Sequence, residues 1–203
     1  GPNSYTADLK LSPNFDEDGM LFVGGSRGPS FWYDPTLGAS NPHQTLGWKS
    51  VPPSLRLGYT RAIAFSPNFD ARGLPGTDQI FFFSTSTDQE TNFVTLDGGL
   101  SVQALDKMTD GSPAPDMWHL AVAPTFNEKG INGSIDVYGV SGRVLYRLEK
   151  GKWDAIYSLP GNIKTIQVDP AFDRDPLTPG LPRLFIALRK DPYFVEYLDY
   201  YGS

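Results

Sequence analysis

The sequence predicts an all-β fold made of four copies of one antiparallel sheet. Three observations carry this prediction. A proline-centred motif recurs four times, short β-prone runs flank every copy, and the chain is rich in Gly and Pro with no sustained helical period.

The motif comes first. Ser12-Pro13-Asn14-Phe15-Asp16 returns as Ser66-Pro67-Asn68-Phe69-Asp70, and more loosely as Ala123-Pro124-Thr125-Phe126-Asn127 and Asp169-Pro170-Ala171-Phe172-Asp173. The prolines at 13, 67, 124 and 170 are 54, 57 and 46 residues apart. Before each lies a short run: Leu9-Lys10-Leu11, Ala62-Ile63-Ala64-Phe65, Leu120-Ala121-Val122 and Ile166-Gln167-Val168. After each comes another: Met20–Val23, Ile80–Phe83, Ile135–Tyr138 and Leu184–Ala187. β-Branched and aromatic residues pack well on a pleated sheet, so the motif joins two strands. Proline has no N–H to give to a ladder and belongs where the first strand stops. The Asn or Asp that follows shapes the turn through its own backbone. The repeated Phe is expected to pack between neighbouring sheets and to be buried in all four copies.

Third and fourth strands fit the remainder of each unit. In the second unit they are Phe93–Thr95 and Ser101–Ala104, and in the third Val144–Arg147 and Trp153–Ile156. Four short strands recurring every fifty-odd residues is the blade pattern of a β-propeller, and the periodicity alone also fits a β-sandwich. The predicted units span 5–57, 58–114, 115–161 and 162–203. The last has room for strands at Leu184–Ala187 and Phe194–Tyr197 and scarcely for a fourth. The array is therefore either a small four-unit ring or part of a larger one. An open ring would expose apolar faces on its first and last sheets, so closure or self-association through those faces is expected.

Composition bounds the function. The chain has 203 residues, 39% of them hydrophobic and 13% aromatic, enough to bury a core. Its net charge of −6 and lack of a basic cluster argue against nucleic acid as a partner. With no cysteine there is neither a disulfide framework nor a thiolate metal site. No apolar run is long enough for a transmembrane helix. Gly1-Pro2-Asn3-Ser4 reads as the scar of a tag-cleaving protease, which makes the chain a candidate piece of a longer protein.

Thr95-Leu96-Asp97-Gly98-Gly99-Leu100-Ser101-Val102 is similar to the Asp box, Ser-x-Asp-x-Gly-x-Thr-Trp, with Ser101 for Thr and Val102 for the aromatic. Leu46–Val51 and Glu149–Trp153 read as degenerate relics of it. Together with the Ser-Pro-Asn-Phe repeat, this segment resembles the Asp-box (BNR) repeat propellers, the family of sialidases, xyloglucanases and sortilin-type receptors. The resemblance implies a propeller fold and, for Asp97, a structural turn between third and fourth strands. It leaves function open.

Chemistry is sparse. The two histidines, His43 and His119, lie far apart and give no metal-ligand spacing, and no nucleophile elbow occurs. Asn14–Gly19 alternates oxygen donors as calcium loops do, but Gly25 stands where an EF-hand needs its bidentate carboxylate. A carboxylate-capped turn explains it without metal, and no cofactor is expected. Glycoside hydrolysis would need two carboxylates across a sugar; Asp88, Glu90, Asp116 and Asp191 are the loop carboxylates on offer.

The repeat does align one position. Six residues before each proline stand Ala7, Arg61, Trp118 and Lys164, at the predicted starts of the inner strands. Aligned inner-strand starts converge on the mouth of a propeller channel, where Arg61, Trp118, His119, Lys164 and Tyr59 are the candidate ligand-binding residues. Such a mouth suits an anionic or sugar-like ligand or an acidic peptide. The expected function is a non-catalytic recognition or assembly module for a protein or glycan, outside the cell or at its surface. The alternatives are a glycoside hydrolase or a fragment of one, and a structural spacer in a large surface protein. The aromatic runs Phe31-Trp32-Tyr33 and Tyr193–Tyr201 read as either contact surfaces or covered strands.

Overall fold

The computed structural model describes residues 6–25, 28–33, 49–50, 58–86, 91–126, 137–169, 183–191 and 194–201. They form four antiparallel sheets, each running through consecutive strands. Sheet 1 is β1 (Thr6–Leu11), β2 (Met20–Gly25), β3 (Gly28–Tyr33) and β4 (Lys49–Ser50). Sheet 2 is β5 (Tyr59–Phe65), β6 (Phe81–Ser86), β7 (Asn92–Thr95) and β8 (Gln103–Ala104). Sheet 3 is β9 (His119–Val122), β10 (Val137–Ser141), β11 (Val144–Glu149) and β12 (Lys152–Ser158). Sheet 4 has three described strands, β13 (Asn162–Val168), β14 (Arg183–Asp191) and β15 (Phe194–Tyr201).

The repeated motif owes its shape to a repeated set of hydrogen bonds. Ser12 N–H donates to the Met20 carbonyl at 3.0 Å, and Ser66 N–H to the Ile80 carbonyl at 3.0 Å, closing the first strand against the second. The hydroxyl of Ser12 donates to Asp18 Oδ2 at 2.6 Å, and that of Ser66 to Asp78 Oδ2 at 2.5 Å. Each of these carboxylates also accepts the backbone N–H two residues on, Met20 at 3.0 Å and Ile80 at 2.9 Å. Serine and aspartate therefore clamp the two strands at one end, and the loop between them can vary in length. In the first copy that loop is a single helical turn, α1 (Phe15–Asp18), stopped by Gly19 at φ 63°. A single turn is too short to leave a helical period in the sequence.

Strand alternation directs apolar side chains to both faces of each sheet, and three inter-sheet cores result. In β6, Phe81 and Phe83 point toward sheet 1, where they join Met20, Phe22 and Phe31. Phe82 points the other way and meets Phe126, in the turn that follows β9, ring centroids 5.7 Å apart and nearly perpendicular. Trp153 stitches sheets 2 and 3 together: its indole N–H donates to the Leu105 carbonyl at 2.9 Å and its backbone N–H to that of Lys107 at 2.9 Å. A third core joins Val140, Leu145 and Leu159 to Ile163, Ile186 and Leu188 between sheets 3 and 4.

Of the repeated phenylalanines, Phe69 and Phe126 are buried as expected. Phe15 is a correction: it is only partly buried, because its equivalents pack on the preceding sheet and sheet 1 has none before it among the described residues. Phe172 lies outside the described residues. The aromatic run 31–33 is a strand, with Phe31 buried in the first core. Residues 194–201 form a strand paired along β14 in sheet 4.

Asp97 sits in the turn between β7 and β8. It accepts the Thr95 hydroxyl at 2.8 Å, the Ser101 N–H at 2.9 Å and the Ser101 hydroxyl at 2.5 Å. Gly98 and Gly99 follow at φ 69° and 97°, a backbone that L-residues rarely adopt. All these bonds are internal to the turn, so Asp97 is a structural residue. The segment Glu149–Trp153 is a two-residue hairpin loop, with Lys150 at φ 51° and Gly151 at φ 75°. Residues 46–48 of the other relic lie outside the described residues.

Candidate functional site at the channel mouth

The first strands β1, β5, β9 and β13 gather around a common cavity of about 820 Å³. Pro13, Pro67 and Pro124 stand at this end, so the motif turns collect on one side. A smaller pocket of about 200 Å³ opens at the other end, lined from all four sheets by Asp8 and Lys10 of β1, Arg61 of β5, His119 of β9, and Thr165 and Ile166 of β13.

Backbone irregularity sets up this end. The ladder slips between Thr6 and Asp8 in sheet 1, between Thr60 and Ala62 in sheet 2, and between Ile163 and Thr165 in sheet 4. The skipped residues are Ala7, Arg61 and Lys164, three of the four positions that lie six residues before the motif proline. A bulge leaves one residue unpaired and re-aims its side chain, a common device near binding sites. The fourth position, Trp118, stands just before β9 and gives its N–H to the Val140 carbonyl at 2.6 Å.

Arg61 is the focus of the mouth. Its Nε lies 2.6 Å from Asp116 Oδ2, as an ion pair rather than an aligned hydrogen bond. Its guanidinium carbon sits 5.8 Å from the centroid of the Trp118 ring, within cation–π range. Both partners belong to the segment entering β9, which sheet 2 holds firmly. Met117 N–H donates to Ser84 Oγ at 2.8 Å, Asn92 Nδ2 donates to the Pro115 carbonyl at 2.9 Å, and Thr91 Oγ1 donates to the Ala114 carbonyl at 3.2 Å. Ser84, Thr91 and Asn92 are all buried, so this network positions Asp116 and Trp118 while remaining shielded from solvent.

His119 is half-buried beside Arg61. Burial holds its imidazole below the ordinary histidine range; Asp8 opposes this, and the cations Lys10 and Lys164 add to it. The imidazole is therefore neutral at pH 7. Asp8 accepts the Ile63 N–H at 3.1 Å, tying β1 to β5. Among the described residues Lys10, Arg61 and Lys164 outnumber Asp8 and Asp116 around this pocket, in a chain of net charge −6.

Of the five candidates, the structure brings Arg61 and His119 into one pocket, sets Trp118 against Arg61, and places Lys164 close enough to act on His119. Tyr59 does not line this pocket; it pairs with Ser86 at the start of β5. Asp8, Lys10 and Thr165 escaped the sequence reading. The repeat carried their signal: Asp8 and Thr165 occupy the fifth position before the motif proline, one step along from the aligned sixth, and Lys10 the third. Asp88 and Glu90 lie outside the described residues. In the Asn14–Gly19 loop, the oxygens of Asp18 are taken by the Ser12 hydroxyl and the N–H groups of Met20 and Ala71, so the loop is a clamped turn. Among the described residues no group of three His, Asp or Glu side chains gathers as a metal site.

No family model and no curated protein matches the chain. Among solved structures, the chain is similar to the GH74 xyloglucanase from Xanthomonas campestris, at TM-score 0.59 and 15% identity over 96% of this chain. This decides the fold class. The chain has a propeller-like all-β fold. It spans 29% of the length of that enzyme's chain.

Proposed function

We propose that this chain is a non-catalytic propeller module, with its four sheets as blades, that recognises an anionic group on a protein or glycan at the end of its channel, outside the cell or at its surface. One observation carries the reading: inner strands of all four sheets meet at a pocket lined by Lys10 and Arg61, with Lys164 near enough to act on His119, and among the described residues these cations outnumber the carboxylates Asp8 and Asp116. An aromatic face, Trp118, stands beside Arg61 and suits a sugar ring or a planar side chain. A neutral His119 can both donate and accept a hydrogen bond.

The likeness to a xyloglucanase favours glycoside hydrolysis as a second reading. That chemistry needs two carboxylates free to serve as acid and as base or nucleophile. At this mouth Asp116 is paired with Arg61 and Asp8 is bonded to the Ile63 amide, which weighs against it. A role as a structural spacer would leave the mouth without a ligand.

Calorimetric titration with carboxylate-bearing and neutral oligosaccharides, beside a glycan hydrolysis screen, separates the three. Binding of the acidic ligand that is lost in Arg61→Ala, without turnover, supports recognition. Turnover abolished in Asp116→Asn would establish a hydrolase. Silence in both assays for every ligand tried would favour the spacer.

A further inference from the structure

Arg61 presents donors along two edges, and only one edge is taken. A guanidinium can meet a carboxylate through its Nε side or through the fork between its terminal nitrogens. Asp116 Oδ2 stands on the Nε side at 2.6 Å, where Nε is shielded from solvent and makes no aligned hydrogen bond. Among the described residues no hydrogen bond reaches Nη1 or Nη2, and neither atom is buried. The terminal fork therefore opens to solvent beside the Trp118 ring.

Asp116 is committed to this one contact. Among the described residues its carboxylate makes no hydrogen bond, and its partner is Arg61. Its backbone is fixed on both sides, because the Pro115 carbonyl accepts from Asn92 Nδ2 and the Met117 N–H donates to Ser84 Oγ. Sheet 2 thus holds the carboxylate against its own arginine.

A carboxylate so placed acts on a bound anion in two opposed ways. By orienting Arg61 it would strengthen binding; as a like charge it would weaken it. Three observations decide the sign. The contact is misaligned, and its two side chains are 38% and 29% exposed, so the pair itself contributes little to holding Arg61 in place. Arg61 is placed without Asp116, by the bulge between Thr60 and Ala62 and by the Trp118 ring 5.8 Å away. An anion on the terminal fork would stand about one guanidinium width from Asp116, where two like charges still oppose each other.

We propose that Asp116 is a specificity-determining residue of the mouth: its charge competes with the ligand's for Arg61 and limits the affinity of the terminal fork for a carboxylate. This rests on the reading of the mouth as an anion site. A neutral ligand on the Trp118 face feels no such competition, so Asp116 sets how far the mouth prefers acid to neutral.

Acetate serves as a minimal carboxylate, titrated into the whole chain at constant ionic strength and followed by NMR at the Arg61 Nε–H and the Trp118 indole N–H. Asp116→Asn removes the charge and keeps the shape, and should tighten acetate binding about tenfold. Asp116→Ala should tighten it too, and serves alone if the Asn variant fails to fold by circular dichroism. Asp116→Glu restores the charge and should bind as weakly as the parent. Unchanged or weaker binding in both neutral variants overturns the proposal and makes Asp116 an orienting residue. A silent Arg61 in every variant also overturns it, because the fork would then be closed to anions even without its counter-charge. A parallel titration with an oligogalacturonate separates this from the wider reading: acetate tightened by Asp116→Asn, with no oligogalacturonate bound by any variant, leaves the role of Asp116 standing and counts against the recognition reading alone.

Discussion

Phe69→Ala is the sharpest test of the idea that the repeated phenylalanine plugs the space between sheets. Phe69 has no solvent exposure and sits among Phe22, Phe65 and Phe81, with ring centroids at 6.1, 4.8 and 6.2 Å. Its backbone is held independently, because its carbonyl accepts the Asn14 side-chain N–H at 2.6 Å and its N–H donates to the Ser66 carbonyl at 3.1 Å. The substitution therefore empties the site without releasing the turn. The neighbouring rings belong to two sheets and cannot collapse into the gap without separating other contacts, so the loss should be about 3–5 kcal/mol. Phe15→Ala, at the equivalent position of sheet 1, is the internal control. Phe15 is only partly buried and has no preceding sheet among the described residues, so its loss should be about 1 kcal/mol. Urea unfolding followed by tryptophan fluorescence reads both from midpoint shifts at constant slope. A loss below about 1 kcal/mol for Phe69→Ala, or equal losses for the pair, would refute the inter-sheet role and make the motif a surface turn.

Burial raises the Asp18 carboxyl above its ordinary value, against the hydrogen bonds from Ala71, Ser12 and Met20 that lower it. The folded state therefore gains stability as pH falls through that raised value toward the unfolded one near 3.8, and Asp18→Asn, which does not titrate there, should lose this gain when denaturant midpoints are compared from pH 7 downward. Asp70 behaves oppositely: burial raises it, but the side-chain and backbone hydrogen bonds from Arg72 prevail and hold it low, so its contribution is present above pH 3.8 and fades as pH falls through the lowered value. Arg72→Ala strands this buried carboxylate, which Arg72 meets at 2.7 Å, and should cost about 3 kcal/mol at pH 7 by urea unfolding; Arg72→Lys should recover only part, since a lysine cannot span both oxygens. Chelation with EDTA should leave the melting temperature unchanged, because Asp18 is satisfied by protein donors; a fall restored by calcium and absent in Asp16→Ala would instead make Asn14–Gly19 an ion site.

What the amino-acid sequence determined by itself was local and periodic. Strand after strand could be read from alternation and from the placement of Pro13, Pro67 and Pro124, because a proline ends a ladder and a β-branched run starts one whatever surrounds them. The turn at Asp97 was legible for the same reason, since all its partners lie within a few residues. The aligned positions Arg61 and Lys164 could be found by counting back from the motif, and the structure places a bulge at each. Tertiary packing decided the rest. Ser12 and Ser66 look like ordinary turn residues until their hydroxyls are seen bonded to Asp18 and Asp78, at separations in sequence of six and twelve. Asp8 and Lys10 join the mouth only because β1 is brought round to the same cavity as β13. Above all, Leu9 and Leu11 stand at the same motif positions as their buried equivalents and yet are exposed, and Phe15 is only partly buried. Burial belongs to a pair of surfaces; a repeat specifies one surface of the pair, and only the presence or absence of a neighbouring sheet determines whether it meets protein or water.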